Sequence, residues 1–258
     1  MQSGGLRDGG GKMNIQIDGK TCIAEPGESI LETARRNNID IPSLCHHEAL
    51  LGLACCRLCV VEIEDATGNR LVVASCVYPV AESVTVYTNT EKIKKHRRTN
   101  LTLLAGHVPE VKGVLLAYCR EYGVIRDDSH MKAVVKEKCI LCGLCVTACE
   151  ALGNSAIQMA MRGIDRVVAP PFNEPSLNCI GCASCARVCP TDAIECESVS
   201  GNRKIWGKTF SLVKCAACGE PYATVDELDW LKGKLLDTEL NLAYCPNCRR
   251  RVSVNTGK

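Results

Sequence analysis

Cys139, Cys142, Cys145 and Cys149 follow a C-x2-C-x2-C-x3-C spacing that returns 40 residues later at Cys179, Cys182, Cys185 and Cys189, with Pro190 directly after the second set. Eight thiols do not fall into a duplicated spacing through packing alone, so this repeat constrains the chain more than any other feature. Cysteine is abundant throughout: 20 of 258 residues, about 8%, near the level of disulfide scaffolds. A chain of this length does not need bridges to compensate for a small core. Residues Met1 to Gly11 are Gly-rich and polar and lack the apolar stretch of an export signal. A reducing, cytoplasmic setting is therefore expected, and there dense thiols point to metal ligation. No run approaches the roughly 18 apolar residues of a membrane span. The net charge of +2 offers no electrostatic reason to bind nucleic acid or an anionic membrane.

The duplicated spacing is that of bacterial two-cluster ferredoxins. Three thiolates on one tight loop occupy three corners of an iron–sulfur cube, and the last Cys of each run supplies the fourth corner of the other. Cys139, Cys142, Cys145 and Cys189 are thus expected to hold one [4Fe–4S] cluster, and Cys149, Cys179, Cys182 and Cys185 the second. Gly143 and Gly181 permit tight turns and bring backbone N–H groups near the sulfurs, which raises the reduction potential. Glu150 stands where the bacterial run ends in Pro, leaving the ligands intact.

Two further sets complete the inventory. Cys45-x10-Cys56-x2-Cys59-x16-Cys76 places three thiolates on one loop and a fourth on a later strand, which suits a [2Fe–2S] cluster. Cys55 could replace Cys56, and His46 and His47 leave a Rieske-type alternative open. Cys215-x2-Cys218 and Cys245-x2-Cys248 form two knuckles whose four thiolates make a closed tetrahedral site, read as structural zinc, with a further Fe–S cluster as the alternative. Cys22, Cys55, Cys119 and Cys196 remain and are read as small buried hydrophobes.

The expected fold is α+β. Residues 1–12 read as a flexible leader. Residues 13–88 are expected to form a β-grasp, ferredoxin-like [2Fe–2S] domain: strands about Ile15 to Ile17 and Thr21 to Ala24 flank the Asp18-Gly19 hairpin signal, Ser29-Ile-Leu-Glu32 is a capping box opening a helix through Arg36, and Val60 to Glu64, Leu71 to Ala74 and Val84 to Thr88 are strands. Residues 89–135 form a helical linker domain with helices over Glu91 to Gly106 and about Val111 to Tyr122. The first carries Ile93, His96 or Arg97, Leu101 and Leu104 on one side. Its basic run, Lys92, Lys94, Lys95, Arg97 and Arg98, reads as a solvated face, with docking to an acidic partner subunit as the alternative. Residues 136–200 form the two-cluster ferredoxin domain and 201–258 a four-cysteine, zinc-ribbon-like unit. There Trp206, Phe210, Tyr222 and Trp230 are expected to form a local core around the metal, or an exposed docking patch.

Ile41-Pro-Ser-Leu-Cys45-His46-His47, Cys56-Arg-Leu-Cys59-Val-Val-Glu62, Cys139 to Glu150 and Cys179 to Ile194, in this order, resemble the N-terminal part of the large iron–sulfur subunit of respiratory complex I and the diaphorase iron–sulfur subunit of NAD-linked hydrogenases. The resemblance covers about residues 13–196. [FeFe] hydrogenases begin similarly, but 258 residues leave no room for their H-cluster domain. Relatives commonly carry another [4Fe–4S] cluster on H-x3-C-x2-C-x5-C. Here His107 is followed by Val111 and Val114 where thiolates would stand, and Cys119 falls one residue early, so that cluster is expected to be absent.

No G-x-G-x-x-G or G-x4-G-K-[ST] phosphate loop is present, and no nucleophile and base pair stands out. Several one-electron centres without a substrate site define an electron conduit. The expected role is a non-catalytic, electron-relay subunit of an NAD(P)-linked oxidoreductase of hydrogenase or formate dehydrogenase type. The resemblance implies a flavin-containing NAD(P)H-binding subunit and a hydrogenase or formate dehydrogenase catalytic subunit as partners. Soluble ferredoxin joins them if the complex is electron-bifurcating. A free-standing multi-cluster carrier and a zinc-ribbon nucleic-acid-binding protein are the alternatives.

Overall fold

The computed structural model describes residues 12–50, 52–65, 67–125, 138–235 and 241–255; nearly all of the expected leader lies outside them. The chain divides into two compact units, Met1–Leu144 and Cys145–Lys258.

In the first unit, β1 (Met13–Ile17), β2 (Lys20–Ala24), β3 (Val60–Glu64), β4 (Arg70–Ala74) and β5 (Thr85–Tyr87) form one sheet in the order β2-β1-β5-β3-β4. Only β1 and β5 run parallel. Asp18 and Gly19 both take positive φ, so the β1–β2 connection is the two-residue turn their sequence favours. The Asp18 carboxylate then accepts from the Thr88 backbone N–H at 2.8 Å, tying the end of β5 to the hairpin. Ile15 and Ile17 alternate inward and meet Ile30, Leu31 and Ala34 of α1 (Ile30–Arg36), with Val61, Ile63 and Val86 completing the core. The Ser29/Glu32 capping box closes the start of α1. The N–H groups of Ile30 and Leu31 donate to Tyr78 O and Ser75 O, each at 3.1 Å, so this helix start also holds the loop that carries Cys76.

Helix α2 (Glu91–Gly106) is capped by Thr90 and buries Ile93, Leu101 and Ala105, and α3 (Gly113–Glu121) buries Leu115 and Cys119. The expected helix face needs one correction. His96 is exposed, whereas Arg97 is buried and does not belong to the solvated basic face. Its guanidinium donates to Leu58 O (3.0 Å), Val60 O (2.9 Å) and Tyr122 Oη (3.0 Å). Carbonyls left over at a loop end supply sites that a planar fork can bind, and the hydrophobic period cannot register them. Lys92 pairs with the buried Glu62 at 2.9 Å.

In the second unit, α4 (Leu144–Ala151) and α5 (Ser184–Arg187) follow the cysteine loops, and β6 (Gln158–Ala160) pairs with β7 (Val167–Ala169). Cys145, Val146 and Ile157 form a small core with Cys149, Cys185 and Trp206 against it. A second sheet in the order β11-β10-β9-β8 is built from β8 (Cys196–Val199), β9 (Asn202–Ile205), β10 (Lys208–Lys214) and β11 (Pro221–Thr224). Helix α6 (Val225–Lys234) starts on a Thr224/Glu227 capping box, and α7 (Pro246–Asn255) starts directly after Cys245 and carries Cys248. Among the described residues no helix is long and apolar enough to cross a membrane.

Candidate metal and cluster sites

Among the described residues every cysteine is a thiol outside any disulfide. In the first unit, Cys45, Cys56, Cys59 and Cys76 are buried and stand in two pairs. The Cys45 thiol donates to Cys56 Sγ at 3.3 Å, and Cys59 and Cys76 share a thiol hydrogen bond of the same 3.3 Å. Backbone N–H groups point at the same sulfurs, Leu44 to Cys56 at 3.4 Å and Cys56 to Cys45 at 3.3 Å. The hydrogen bond from Cys45 pulls the Cys56 thiol down to about 6, and the bond to Cys76 pulls Cys59 down to about 7. Their partners Cys45 and Cys76 are pushed up by the same bonds. Donors aimed at sulfur inside a low-dielectric niche favour thiolate, the form that ligates metal. Ser75, fully buried, holds this arrangement by donating its hydroxyl to Cys59 O at 2.6 Å. The carbonyls that Arg97 grips belong to Leu58 and Val60, on either side of Cys59. Cys55 is exposed, not a buried hydrophobe, and its thiol faces Leu53 O at 3.5 Å. His46 Nδ1 is engaged with Arg35 at 2.8 Å.

In the repeat, Cys142 and Cys145 are buried and Cys139 is half-buried. Leu141 N–H donates to Cys139 Sγ at 3.4 Å, Ala156 N–H to Cys149 Sγ at 3.2 Å and Ala193 N–H to Cys189 Sγ at 3.3 Å. Cys149, Cys179, Cys182 and Cys185 line one pocket, walled by apolar groups that include Ile157 and Trp206. Burial pushes the Cys185 thiol up to about 11. Four cysteines lining one apolar pocket are a donor set suited to an iron–sulfur cluster.

Sulfurs of Cys215, Cys218, Cys245 and Cys248 all lie within 4.8 Å of one another. The β10–β11 turn carries the first pair, and Cys245 N–H donates to Cys215 Sγ at 3.2 Å, helping draw Cys215 down to about 6. Cys248, hydrogen-bonded to Cys245, rises to about 12. Of the aromatics expected around this site, Tyr222 reaches across to Leu242 O. Trp206 and Phe210 do not belong to it, since they pack on Cys179 and Cys185.

Ser75, Arg97, Arg203, Trp206, Lys208 and Thr224 all touch cysteine loops and carried no ligand signal. The Trp206-Gly207 pair between two alternating segments was the available hint of the β9–β10 turn.

Fold and sulfur geometry together define a chain with separate niches for a small cluster and for ferredoxin-type clusters, and comparison with known proteins agrees. Residues 11–91 match the 2Fe-2S iron-sulfur cluster binding domain, and residues 133–196 match the 4Fe-4S dicluster domain. The chain therefore carries both domains in an α+β fold. Its homologues include the NADP-reducing hydrogenase subunit HndD of Solidesulfovibrio fructosivorans, 34% identical over 70% of this chain and 36% of that protein. They include the NADPH-Fe(3+) oxidoreductase subunit alpha of Geobacter sulfurreducens, 28% identical over 80% of this chain and 26% of that protein. Among solved structures, an NAD+-reducing [NiFe]-hydrogenase in the H2-reduced state is similar with a TM-score of 0.61 and 26% identity, covering 70% of this chain and 85% of that one. This chain thus spans about a third or less of the length of the two curated relatives.

Proposed function

We propose that this chain is the electron-relay iron–sulfur subunit of a multi-subunit NAD(P)-linked oxidoreductase, carrying electrons between a flavin subunit that reacts with NAD(P)H and a hydrogenase or formate dehydrogenase catalytic subunit. The observation that carries this is the sulfur geometry: two thiol pairs at 3.3 Å in one unit and a four-cysteine cavity in the other. Cys45 with Cys56 and Cys59 with Cys76 would hold a [2Fe–2S] cluster, two thiolates to each iron. Cys149, Cys179, Cys182 and Cys185 would hold one [4Fe–4S] cluster, and Cys139, Cys142, Cys145 and Cys189 the other. When bound, these groups supply one-electron redox chemistry; the chain's residues supply ligands, burial and hydrogen bonds to sulfur.

The C-terminal cysteines are assigned to zinc. Zn–S bonds of about 2.3 Å put tetrahedral sulfurs about 3.8 Å apart, and Cys218 Sγ and Cys245 Sγ stand at 4.0 Å. A cube of iron and sulfide would hold its thiolates further apart, which favours a single ion. The His107 region is assigned no cluster, because Val111 and Val114 follow His107 where thiolates would have to stand, and Cys119 is buried in α3.

Anaerobically purified chain is expected to hold about 10 Fe and one Zn, with electron paramagnetic resonance resolving three reducible centres. The native assembly should co-purify with a flavoprotein and a catalytic subunit. Elution of the native chain alone, near 27.9 kDa, would refute the subunit role, and about 14 Fe with the Zn still present would restore the fourth cluster.

A further inference from the structure

The loop from Cys179 to Cys182 is gripped at three successive carbonyls by the C-terminal sheet. Lys208 Nζ donates to Cys179 O at 2.9 Å, Thr224 Oγ1 to Ile180 O at 2.5 Å and Arg203 to Gly181 O at 2.8 Å. Trp206 reaches the same region from the β9–β10 turn, where it takes a φ of 51°, and its Nε1–H donates to Cys185 Sγ at 3.5 Å. Phe210 of β10 packs against Gly181, whose position leaves no space for a side chain. One sheet thus brings an ammonium, a guanidinium and an indole N–H to the loop and sulfur of a single cysteine set. Arg203 is buried, and its nearest carboxylate, on Glu227, stands 3.9 Å away.

Reduction adds negative charge to a cluster and its thiolates. Donors to sulfur and nearby cations stabilise that state more than the oxidised one, and so raise the potential. Arg203 is buried and Lys208 half-buried, so both charges act through a medium less polar than bulk water. We infer that the β8–β11 sheet raises the reduction potential of the cluster held by Cys149, Cys179, Cys182 and Cys185, with Trp206 and Lys208 as its tuning residues. The inference rests on the ligand assignment proposed above.

The test is an EPR-monitored redox titration of the full anaerobic chain carrying Trp206→Phe, Lys208→Met or Lys208→Arg. Trp206→Phe removes the N–H and keeps an aromatic body; Lys208→Met keeps the stem and removes the charge. Both are expected to move one [4Fe–4S] midpoint to a more negative value, leaving the other centres in place, and Lys208→Arg is expected to hold the native value. Unchanged midpoints at full iron and sulfide content would overturn the tuning role while leaving the ligand assignment standing. Wild-type chain lacking iron and sulfide for two [4Fe–4S] clusters would overturn both. If Trp206→Phe fails to retain its cluster, the Lys208 pair decides alone: native potential in Lys208→Met rejects the inference, and a shift cancelled in Lys208→Arg upholds it.

Discussion

The Ser75 hydroxyl donates to the Cys59 carbonyl at 2.6 Å, and the Ser75 backbone N–H donates to the same oxygen at 3.1 Å. One buried residue thereby joins Cys59 to Cys76, the third and fourth cysteines of the proposed [2Fe–2S] set, because Cys76 follows Ser75 directly. Ser75→Ala removes the hydroxyl donor and keeps the N–H, so the carbonyl stays partly satisfied. The expected cost is about 1 kcal/mol, read as a lower denaturant midpoint, with faster loss of the [2Fe–2S] absorbance on dilution.

Arg97 does comparable work from α2. Its fork reaches two carbonyls and a phenol, and Arg97→Met would strand all three acceptors beneath the helix. Hydrogen bonds from charged donors contribute about 1.5–3 kcal/mol each, so a loss of at least about 3 kcal/mol is expected in thermal or denaturant unfolding. Arg97→Lys should recover only part of it, since an ammonium cannot present the planar fork. Equal stability of Arg97→Lys and wild type would refute this account.

How far the sequence foretold these features depends on their range. Asp18-Gly19, the Ser29/Glu32 box and α2 from Glu91 to Gly106 are local signals, carried by turn chemistry and period, and the structure has each where those signals put it. The cysteine spacings were legible for the same reason, as ligands on one loop must sit close in sequence. Arg97 was not, because a buried cation is recognised by the carbonyls that receive it, and those lie 37 and 39 residues away. Trp206, Lys208 and Thr224 were missed likewise: their partners in the Cys179 to Cys185 segment are 21 to 44 residues distant, and nothing in either segment alone announces the pairing.

Gly181 is the point where loop and sheet are closest. It takes a φ of +67°, and a Cβ there would meet the Phe210 ring at 2.6 Å. Gly181→Ala therefore combines left-handed strain of about 1–2 kcal/mol with a clash against a buried ring. The expected result is chain with the [2Fe–2S] signal intact and about four Fe missing. Adding Phe210→Ala should relieve the clash and restore part of that iron, an outcome that backbone strain alone would not produce.

The C-terminal cysteines offer a prediction that separates their two possible occupants. Cys215 and Cys245 are buried and linked by the 3.2 Å N–H to sulfur bond, while Cys218 is exposed at the rim. Cys245→Ser removes a thiolate from the closed side of the tetrahedron and leaves the hydrogen bonds of Arg203, Lys208 and Thr224 to the 179–181 carbonyls untouched. If the site holds zinc, metal analysis should show one Zn lost and the iron content unchanged. Limited proteolysis should then cut α7 rapidly, since this helix begins at Pro246 between two ligands and folding of such knuckles is coupled to the ion. Loss of iron and sulfide with zinc never present would instead make this site a further cluster.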